Sequence, residues 1–317
     1  MEAVTCPSDR ASRATLTRSA RIAGAEAVWR EWPADGDERE GEAPAIVLVH
    51  GFRGTHIGLW PVAAQLPEVR FIAPDLPGFG DSSPLPREHT LDAYAQWLEA
   101  FLEDVDPEGR AVVLGHSFGS LIVARRPEAL GGRRIVLVNP IAAPALEGPS
   151  RIMTQLAILY YRAGAALPEP IGRALLAHPL ITRVMSEVMA RTRRPGLRRW
   201  IHAQHDAWFS AFSDRDTLLE AFRASVSDSV TAHAEQLPAG TVLAAGEQDA
   251  IAPLEAQLRL RDRMRDGRLH VISGVGHLVH YERPVALARI LRTELGLPGP
   301  GLGDGADAAA RLSAEVA

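Results

Sequence analysis

One serine of this chain lies between two glycines in a context that suits nucleophilic catalysis. The segment Gly-His-Ser117-Phe-Gly follows the apolar run at residues 111–114 and precedes a helical pattern. A serine on a sharp turn from strand to helix has strained dihedral angles, and glycines two positions away remove the Cβ atoms that would collide there. The free N–H groups at the start of the following helix can stabilise an oxyanion. The pattern predicts an activated serine, although a small-residue turn that only packs has the same spacing.

Asp249 and His277 are the residues that could activate this serine. A serine hydroxyl needs a base to take its proton, and the base needs a partner that fixes its tautomer. Asp249 follows the apolar run at residues 241–245, and His277 follows the run at residues 269–272. Because the C-terminal ends of parallel strands lie at one edge of a sheet, we expect the side chains of Ser117, Asp249 and His277 to converge there.

An alternation of buried strands and helices would position these residues. Continuous apolar runs that stop at glycine, proline or asparagine are typical of strands buried on both faces of a parallel sheet. They lie at residues 45–49, 69–73, 111–114, 135–138, 241–245 and 269–272, and residues 14–22 and 27–32 indicate an antiparallel edge hairpin. A helical periodicity begins after Thr90, a suitable N-cap. The pattern predicts an α/β fold, with a mostly parallel doubly wound sheet and helices on both faces.

The alternation of strands and helices stops after Pro140. Residues 150–236 contain helical patterns broken by prolines and no convincing strand. We therefore expect an α/β core and an inserted all-helical lid, followed by a flexible tail; the core is residues 1–143 and 239–297, the lid is residues 144–238, and the tail is residues 298–317. Pro127, ten residues after Ser117, predicts that the helix behind the serine is short.

Composition limits the class of protein. The chain has 317 residues, 34 basic and 39 acidic side chains, and 46% hydrophobic residues, which is typical of a soluble globular protein. A net charge of −5 argues against a surface built for nucleic acid or anionic membranes. Cys6 is the only cysteine, so no internal disulfide can form. We expect a cytoplasmic protein that acts on a small molecule.

Five segments together resemble lid-bearing members of the α/β-hydrolase superfamily, over about residues 14–296. They are Leu-Val-His50-Gly-Phe, Asp75-Leu-Pro-Gly-Phe-Gly-Asp-Ser, Gly-His-Ser117-Phe-Gly, Gly-Glu-Gln-Asp249-Ala-Ile-Ala-Pro, and Gly-His277 followed by Glu282-Arg-Pro. The resemblance implies Ser117 as nucleophile, His277 as base and Asp249 as its orienting carboxylate. It also implies an oxyanion hole formed by the backbone N–H groups of Phe52 and Phe118. Nothing in the pattern requires a metal or another cofactor.

Three further groups of residues could contribute to binding. His202, His205 and Asp206 have a helical spacing that a metal could use, but we expect a polar face of the lid there. The lid arginines are Arg191, Arg193, Arg194, Arg198 and Arg199, which form either a solvated face or a dock for a substrate carboxylate. Lid aromatic residues, with Tyr160 and Trp208 as the first candidates, predict a pocket for an apolar substrate.

The residues favour hydrolysis of an ester through an acyl-enzyme on Ser117, with an apolar acyl or aryl substrate. Hydrolysis of a carbon–carbon bond in a ring-cleavage product is the sharpest alternative, because such enzymes resemble this chain in fold, lid and triad. Three other functions are also compatible with the pattern: a cofactor-free haloperoxidase, a hydroxynitrile lyase, and a receptor-like protein that binds a small ligand without turnover. Haloalkane dehalogenases and epoxide hydrolases of this superfamily attack with a carboxylate. Because Ser117 occupies that position here, we expect neither activity.

Overall fold

A single mixed sheet organises the protein. The computed structural model describes residues 13–35, 43–144 and 151–297. Within these residues eight strands pair in the order β1-β2-β4-β3-β5-β6-β7-β8. The strands are β1 (Leu16–Ile22), β2 (Ala25–Trp32), β3 (Ala45–Val49), β4 (Arg70–Pro74), β5 (Val112–His116), β6 (Ile135–Val138), β7 (Val242–Gly246) and β8 (Arg268–Ile272). The first two strands form the antiparallel edge hairpin, and the pairs from β3 onward are parallel.

Helices cover both faces of the sheet because alternate strand residues point to opposite sides. In β3, Val47 and Val49 pack on one face, and Ile46 and Leu48 pack on the other. The helices outside the insertion are α1 (Trp60–Ala63), α2 (Leu91–Val105), α3 (Phe118–Arg125), α9 (Leu254–Arg263), α10 (Val279–Glu282) and α11 (Pro284–Leu295). The predicted fold class is confirmed.

Two local predictions are also confirmed. The Thr90 hydroxyl accepts a hydrogen bond of 3.1 Å from the backbone N–H of Ala93, so it caps α2 as expected. The helix behind Ser117 is only eight residues long, and a short 3₁₀ helix begins at Pro127. Proline has no N–H to continue the helical hydrogen bonds, which explains the early end of α3.

Helices alone connect β6 to β7 in the described part of the chain. They are α4 (Arg151–Ala166), α5 (Glu169–Leu176), α6 (Pro179–Met189), α7 (Pro195–Trp208) and α8 (Arg215–Val226), which we call the inserted helices, and a 3₁₀ helix follows them (Val230–Gln236). No helix in the described ranges is long and apolar enough to cross a membrane. The predicted tail at residues 298–317 and the start of the predicted insertion at 145–150 lie outside the described residues.

Candidate active site

Ser117 lies on a strained turn between β5 and α3. Its φ is 52° and its ψ is −116°, a conformation that side-chain-bearing residues rarely adopt. A Cβ at Gly115 would lie 2.6 Å from the carbonyl oxygen of Gly119, and a Cβ at Gly119 would lie 2.2 Å from the carbonyl oxygen of Val49. Only glycine permits this close approach of backbones, which is why the pattern has a glycine on each side of the serine.

The side chains of Ser117, His277 and Asp249 lie in one hydrogen-bonded row. The His277 Nε2 is 2.8 Å from the Ser117 Oγ, and the His277 Nδ1 is 2.7 Å from the Asp249 Oδ2. The other carboxylate oxygen accepts hydrogen bonds from the backbone N–H groups of Ile251, at 2.8 Å, and Ala252, at 3.0 Å. Because the carboxylate accepts the Nδ1 proton, Nε2 is left as the acceptor for the serine hydroxyl.

Asn139, which the sequence analysis did not single out, holds the loop that carries His277. Its side-chain amide donates to the carbonyl oxygens of His277, at 2.7 Å, and Gly276, at 3.2 Å. Its side-chain oxygen accepts a hydrogen bond of 2.8 Å from the N–H of Gly246, at the end of β7. Asn139 directly follows the apolar run of β6, at the same sheet edge as the serine turn. That position in the sequence could have indicated that the residue contributes to the site.

The predicted oxyanion residues lie on both sides of Ser117. Phe118 begins α3, where backbone N–H groups have no partner inside the helix. Gly51 packs against the serine, since a Cβ there would lie 3.2 Å from the Ser117 Cβ, and Phe52 follows it directly. The Phe52 N–H makes no hydrogen bond to any residue within the described ranges.

His50 holds the loop that carries Phe52. Its Nε2 accepts a hydrogen bond of 2.9 Å from the N–H of Leu76, so the proton is on Nδ1 and points to the carbonyl oxygen of Gly51, 2.8 Å away. Burial lowers the pKa of this histidine, which favours the neutral ring that these two contacts require.

Ser117 and His277 open into a cavity of about 990 Å³ whose walls are mostly apolar. Inserted helices supply much of the wall, including Ile181, Val184, Met185, Val188 and Phe222. Both predicted substrate contacts line it: Tyr160 is half-buried, and Trp208 is 40% exposed. The Tyr160 hydroxyl lies 3.1 Å from the Leu175 carbonyl oxygen, so its polar end is occupied within the protein.

Arg53 is a buried cation in the wall of the cavity that sequence analysis overlooked. Its guanidinium donates to the carbonyl oxygens of Phe209, at 2.8 Å, and Leu176, at 2.9 Å, and it lies 4.3 Å from the Phe209 ring. These carbonyls end α7 and α5, where the helix dipoles favour a positive charge. The residue directly after Phe52 thus ties the loop to two inserted helices.

The lid arginines lie outside the cavity wall, as a solvated face would, whereas two of the three candidate metal residues are buried. Arg194 and Arg198 are not among the cavity-lining residues, and Arg198 pairs instead with Glu187. His202 and His205 are buried, so the expected polar face is wrong at these two positions, whereas Asp206 pairs with Arg183 at the surface. In the described ranges no group of three or more His, Cys, Asp or Glu side chains could hold a metal ion.

Two curated relatives match most of this chain. It is 26% identical over 261 residues to the 2-hydroxymuconate semialdehyde hydrolase of Pseudomonas sp. (strain CF600), which covers 78% of this chain and 84% of the relative. It is 28% identical over 277 residues to the lipase LipV of Mycobacterium tuberculosis, covering 80% of this chain and 94% of that one.

A family model and a solved structure agree with this similarity. The fold matches an esterase from Exiguobacterium antarcticum with a TM-score of 0.71 at 15% identity, over 88% of this chain and 98% of that one. Residues 46–290 match the model of the alpha/beta hydrolase family. Together with the placement of the serine turn and the sheet order, these matches identify the protein as a hydrolase that belongs to the alpha/beta hydrolase family.

Proposed function

We propose that this protein hydrolyses esters of apolar acyl or aryl substrates through an acyl-enzyme on Ser117. The observation that carries the proposal is the 2.8 Å contact between the Ser117 Oγ and the His277 Nε2 in an apolar cavity of about 990 Å³. Such a contact gives the hydroxyl a base at the place where a substrate carbonyl can be enclosed.

In the first half-reaction, Ser117 attacks the ester carbonyl while His277 takes its proton. Asp249 accepts a hydrogen bond from the imidazolium and keeps the ring oriented. The negative oxygen of the tetrahedral intermediate is stabilised by the N–H groups of Phe52 and Phe118. When the intermediate collapses, His277 gives its proton to the departing alcohol, and the acyl group stays on Ser117.

In the second half-reaction, water releases the acyl group. His277 takes a proton from this water, which attacks the acyl carbonyl and forms a second tetrahedral intermediate. Collapse of this intermediate breaks the bond to the Ser117 Oγ, and the serine recovers its proton from His277. The products are a carboxylic acid and a free enzyme in its starting protonation state.

The apolar wall supports a substrate of moderate size with an apolar acyl or aryl group. The inserted helices act as a lid over the catalytic edge, and each CH₂ that they enclose contributes up to about 0.8 kcal/mol, or roughly fourfold in kcat/KM. Medium-chain and aryl esters are therefore preferred over acetate by one to two orders of magnitude.

Hydrolysis of a carbon–carbon bond is the second candidate, and the similarity to 2-hydroxymuconate semialdehyde hydrolase favours it. It would need a group that receives the carboxylate of a ring-cleavage product. Arg194 and Arg198 do not line the cavity; of the two arginines that do, the Arg53 guanidinium is engaged with the carbonyls of Phe209 and Leu176, and Arg259 is exposed. The ester reaction needs no such group, so we place it first.

A panel of p-nitrophenyl esters from acetate to laurate, with aryl esters and a ring-cleavage dienoate beside them, tests the proposal. We expect a maximum at medium chain length and loss of turnover on the order of 10³-fold or more in Ser117→Ala. A fluorophosphonate probe should label the wild type and not this variant. A flat ester profile with fast dienoate turnover would instead support carbon–carbon hydrolysis, and labelling that survives the substitution would exclude Ser117 as the nucleophile.

A further inference from the structure

A buried serine joins two histidines inside the inserted helices. The Ser186 Oγ, on α6, is 2.5 Å from the His202 Nδ1 and 2.7 Å from the His205 Nδ1, both on α7. Ser186 is fully buried and both rings are almost so. His205 also lines the cavity that contains Ser117, so the cluster connects to the proposed substrate space.

The contact of His202 with Glu187 decides which nitrogen of His202 carries the proton. The His202 Nε2 lies 3.0 Å from a carboxylate oxygen of Glu187, although the ring N–H is not aligned for a hydrogen bond. The Arg198 guanidinium bonded to Glu187 lowers the pKa of that carboxyl and keeps it negative. A lone pair facing a carboxylate would be repelled, so Nε2 carries a proton. Burial lowers the pKa of His202, so the ring is neutral at neutral pH and its Nδ1 is an acceptor.

The protons of the other two side chains follow from this arrangement. Ser186 has one hydroxyl proton, and it donates this proton to the His202 Nδ1. Its oxygen is then the acceptor for His205, so the proton of that ring is on Nδ1. Burial lowers the pKa of His205 to about 4, and the ring is neutral at neutral pH. Its Nε2 therefore has a lone pair.

The Nε2 of His205 is an unpaired acceptor beside an apolar cavity. It makes no hydrogen bond to a residue in the described ranges, and it is not fully enclosed by them. The neighbouring rings are those of Phe209 and Tyr281, with centroids 5.5 Å and 5.8 Å away. A fixed acceptor in such surroundings discriminates strongly between a ligand that donates a hydrogen bond there and one that does not.

We propose that His205 selects a substrate that carries a hydroxyl group on its apolar part, and that Ser186 positions His205 by fixing its tautomer. The hydroxyl donates its hydrogen to the His205 Nε2, whereas a methyl group at the same place leaves this nitrogen unpaired. This inference rests on the proposed ester hydrolase function, because it names the substrate class of the same cavity.

The test compares matched p-nitrophenyl esters with acyl chains of six, eight and ten carbons. Each chain ends in a hydroxyl, in a methyl group that replaces the hydroxyl, or in a methoxy group that can only accept. Because the readout is a ratio within one protein, a general change in activity cancels. We expect the wild type to prefer the hydroxyl ester over its methyl counterpart by about tenfold in kcat/KM at one or more chain lengths.

Two variants separate the acceptor from the residue that positions it. His205→Phe keeps an aromatic ring without the acceptor, and the hydroxyl preference should fall at least tenfold. Ser186→Ala frees the His205 ring to carry its proton on Nε2. The kcat/KM of the methoxy ester should then rise relative to that of the hydroxyl ester. His178→Asn, at an exposed lid histidine that does not line the cavity, is the matched control and should keep the wild-type ratio.

Binding to Ser117→Ala, measured by calorimetry with the same esters, tests the inference without turnover. A tenfold preference for the hydroxyl ester in binding supports it, even if the wild type hydrolyses none of the esters and the proposed function fails. Ester turnover with hydroxyl-to-methyl ratios below twofold at every chain length, in both binding and kcat/KM, would overturn the inference and leave the ester hydrolase standing. A hydroxyl preference that survives in His205→Phe and in Ser186→Ala would also overturn it.

Discussion

The side-chain amide of Asn139 donates a hydrogen bond of 2.7 Å to the backbone carbonyl oxygen of His277. The same side chain accepts from the N–H of Gly246, so one residue after β6 holds the ends of β7 and of the loop after β8. The φ of Asn139 is 45°, a left-handed conformation that asparagine tolerates better than most residues. The position of the His277 loop relative to Ser117 thus depends on a residue that does not line the cavity.

Replacing Asn139 should therefore lower kcat, and a loss of stability alone should not account for this fall. Asn139→Gly removes the amide but tolerates the backbone angle, whereas Asn139→Ala adds backbone strain of about 1 kcal/mol. We expect kcat/KM on a medium-chain ester to fall about 10- to 100-fold in both variants, with KM nearly unchanged, and the alanine variant to be the less stable in urea. If the folded glycine variant keeps wild-type kcat, Asn139 does not position His277.

Arg53 should hold the inserted helices on the core. Arg53→Met leaves the carbonyls of Phe209 and Leu176 without their donor, which we expect to cost about 3 kcal/mol in the free energy of unfolding measured with urea. Cleavage by chymotrypsin within residues 151–226 should become faster before the rest of the chain unfolds. Arg53→Lys keeps the charge and should lose less. Equal protease resistance in the methionine variant and the wild type would contradict this role.

The close approach at Gly119 should make this position intolerant of any side chain. In Gly119→Ala the new Cβ would lie 2.2 Å from the backbone oxygen of Val49, so β3 and α3 must separate. We expect a loss of about 3 kcal/mol or more in urea unfolding, or no soluble protein. The matched control is Gly196→Ala on α7, where a Cβ meets nothing within 4 Å and should add about 0.5–1 kcal/mol. Similar stability of the two variants would refute the packing argument.

His116 should make folding sensitive to acid. Burial, with the neighbouring His277 as a smaller cause, lowers the pKa of His116 to about 3, whereas an unfolded histidine titrates near 6.5. Between these values the unfolded chain binds a proton that the folded protein does not. The contribution of His116 to the free energy of unfolding is therefore at its maximum above about pH 6.5. It decreases as the pH falls towards 3, by up to about 1.4 kcal/mol per pH unit.

Urea unfolding of His116→Asn at several pH values checks this sign and size. Between pH 6 and 4 the slope of the unfolding free energy against pH should decrease by up to about 1.4 kcal/mol per pH unit, which corresponds to one proton. The buried His205 and His280, whose pKa values are also lowered by burial, explain why part of the slope remains. An unchanged slope in His116→Asn would show that this ring is not kept neutral by the fold.

Local sequence patterns were enough to predict the strands of the sheet and the turn that carries Ser117. Apolar runs at residues 45–49, 111–114 and 135–138 indicated parallel strands because a strand buried on both faces has no polar alternation. The glycines around Ser117 predicted its turn, because the backbones there approach closer than a Cβ allows. Since all parallel strands of a sheet end at the same edge, the order of the chain also predicted that Ser117, Asp249 and His277 lie close together.

Tertiary packing alone decided the polar side-chain contacts around the sheet and the serine turn. Asn139 and His277 are 138 positions apart, and Arg53 and Phe209 are 156 apart, so no pattern of neighbouring residues could pair them. The spacing of His202 and His205 predicted one shared helix face, but only the packing of α6 against α7 placed Ser186 between the two rings and buried them. Periodicity specifies which face of an element is buried, whereas the partner of each buried polar group depends on which elements the fold brings against that face.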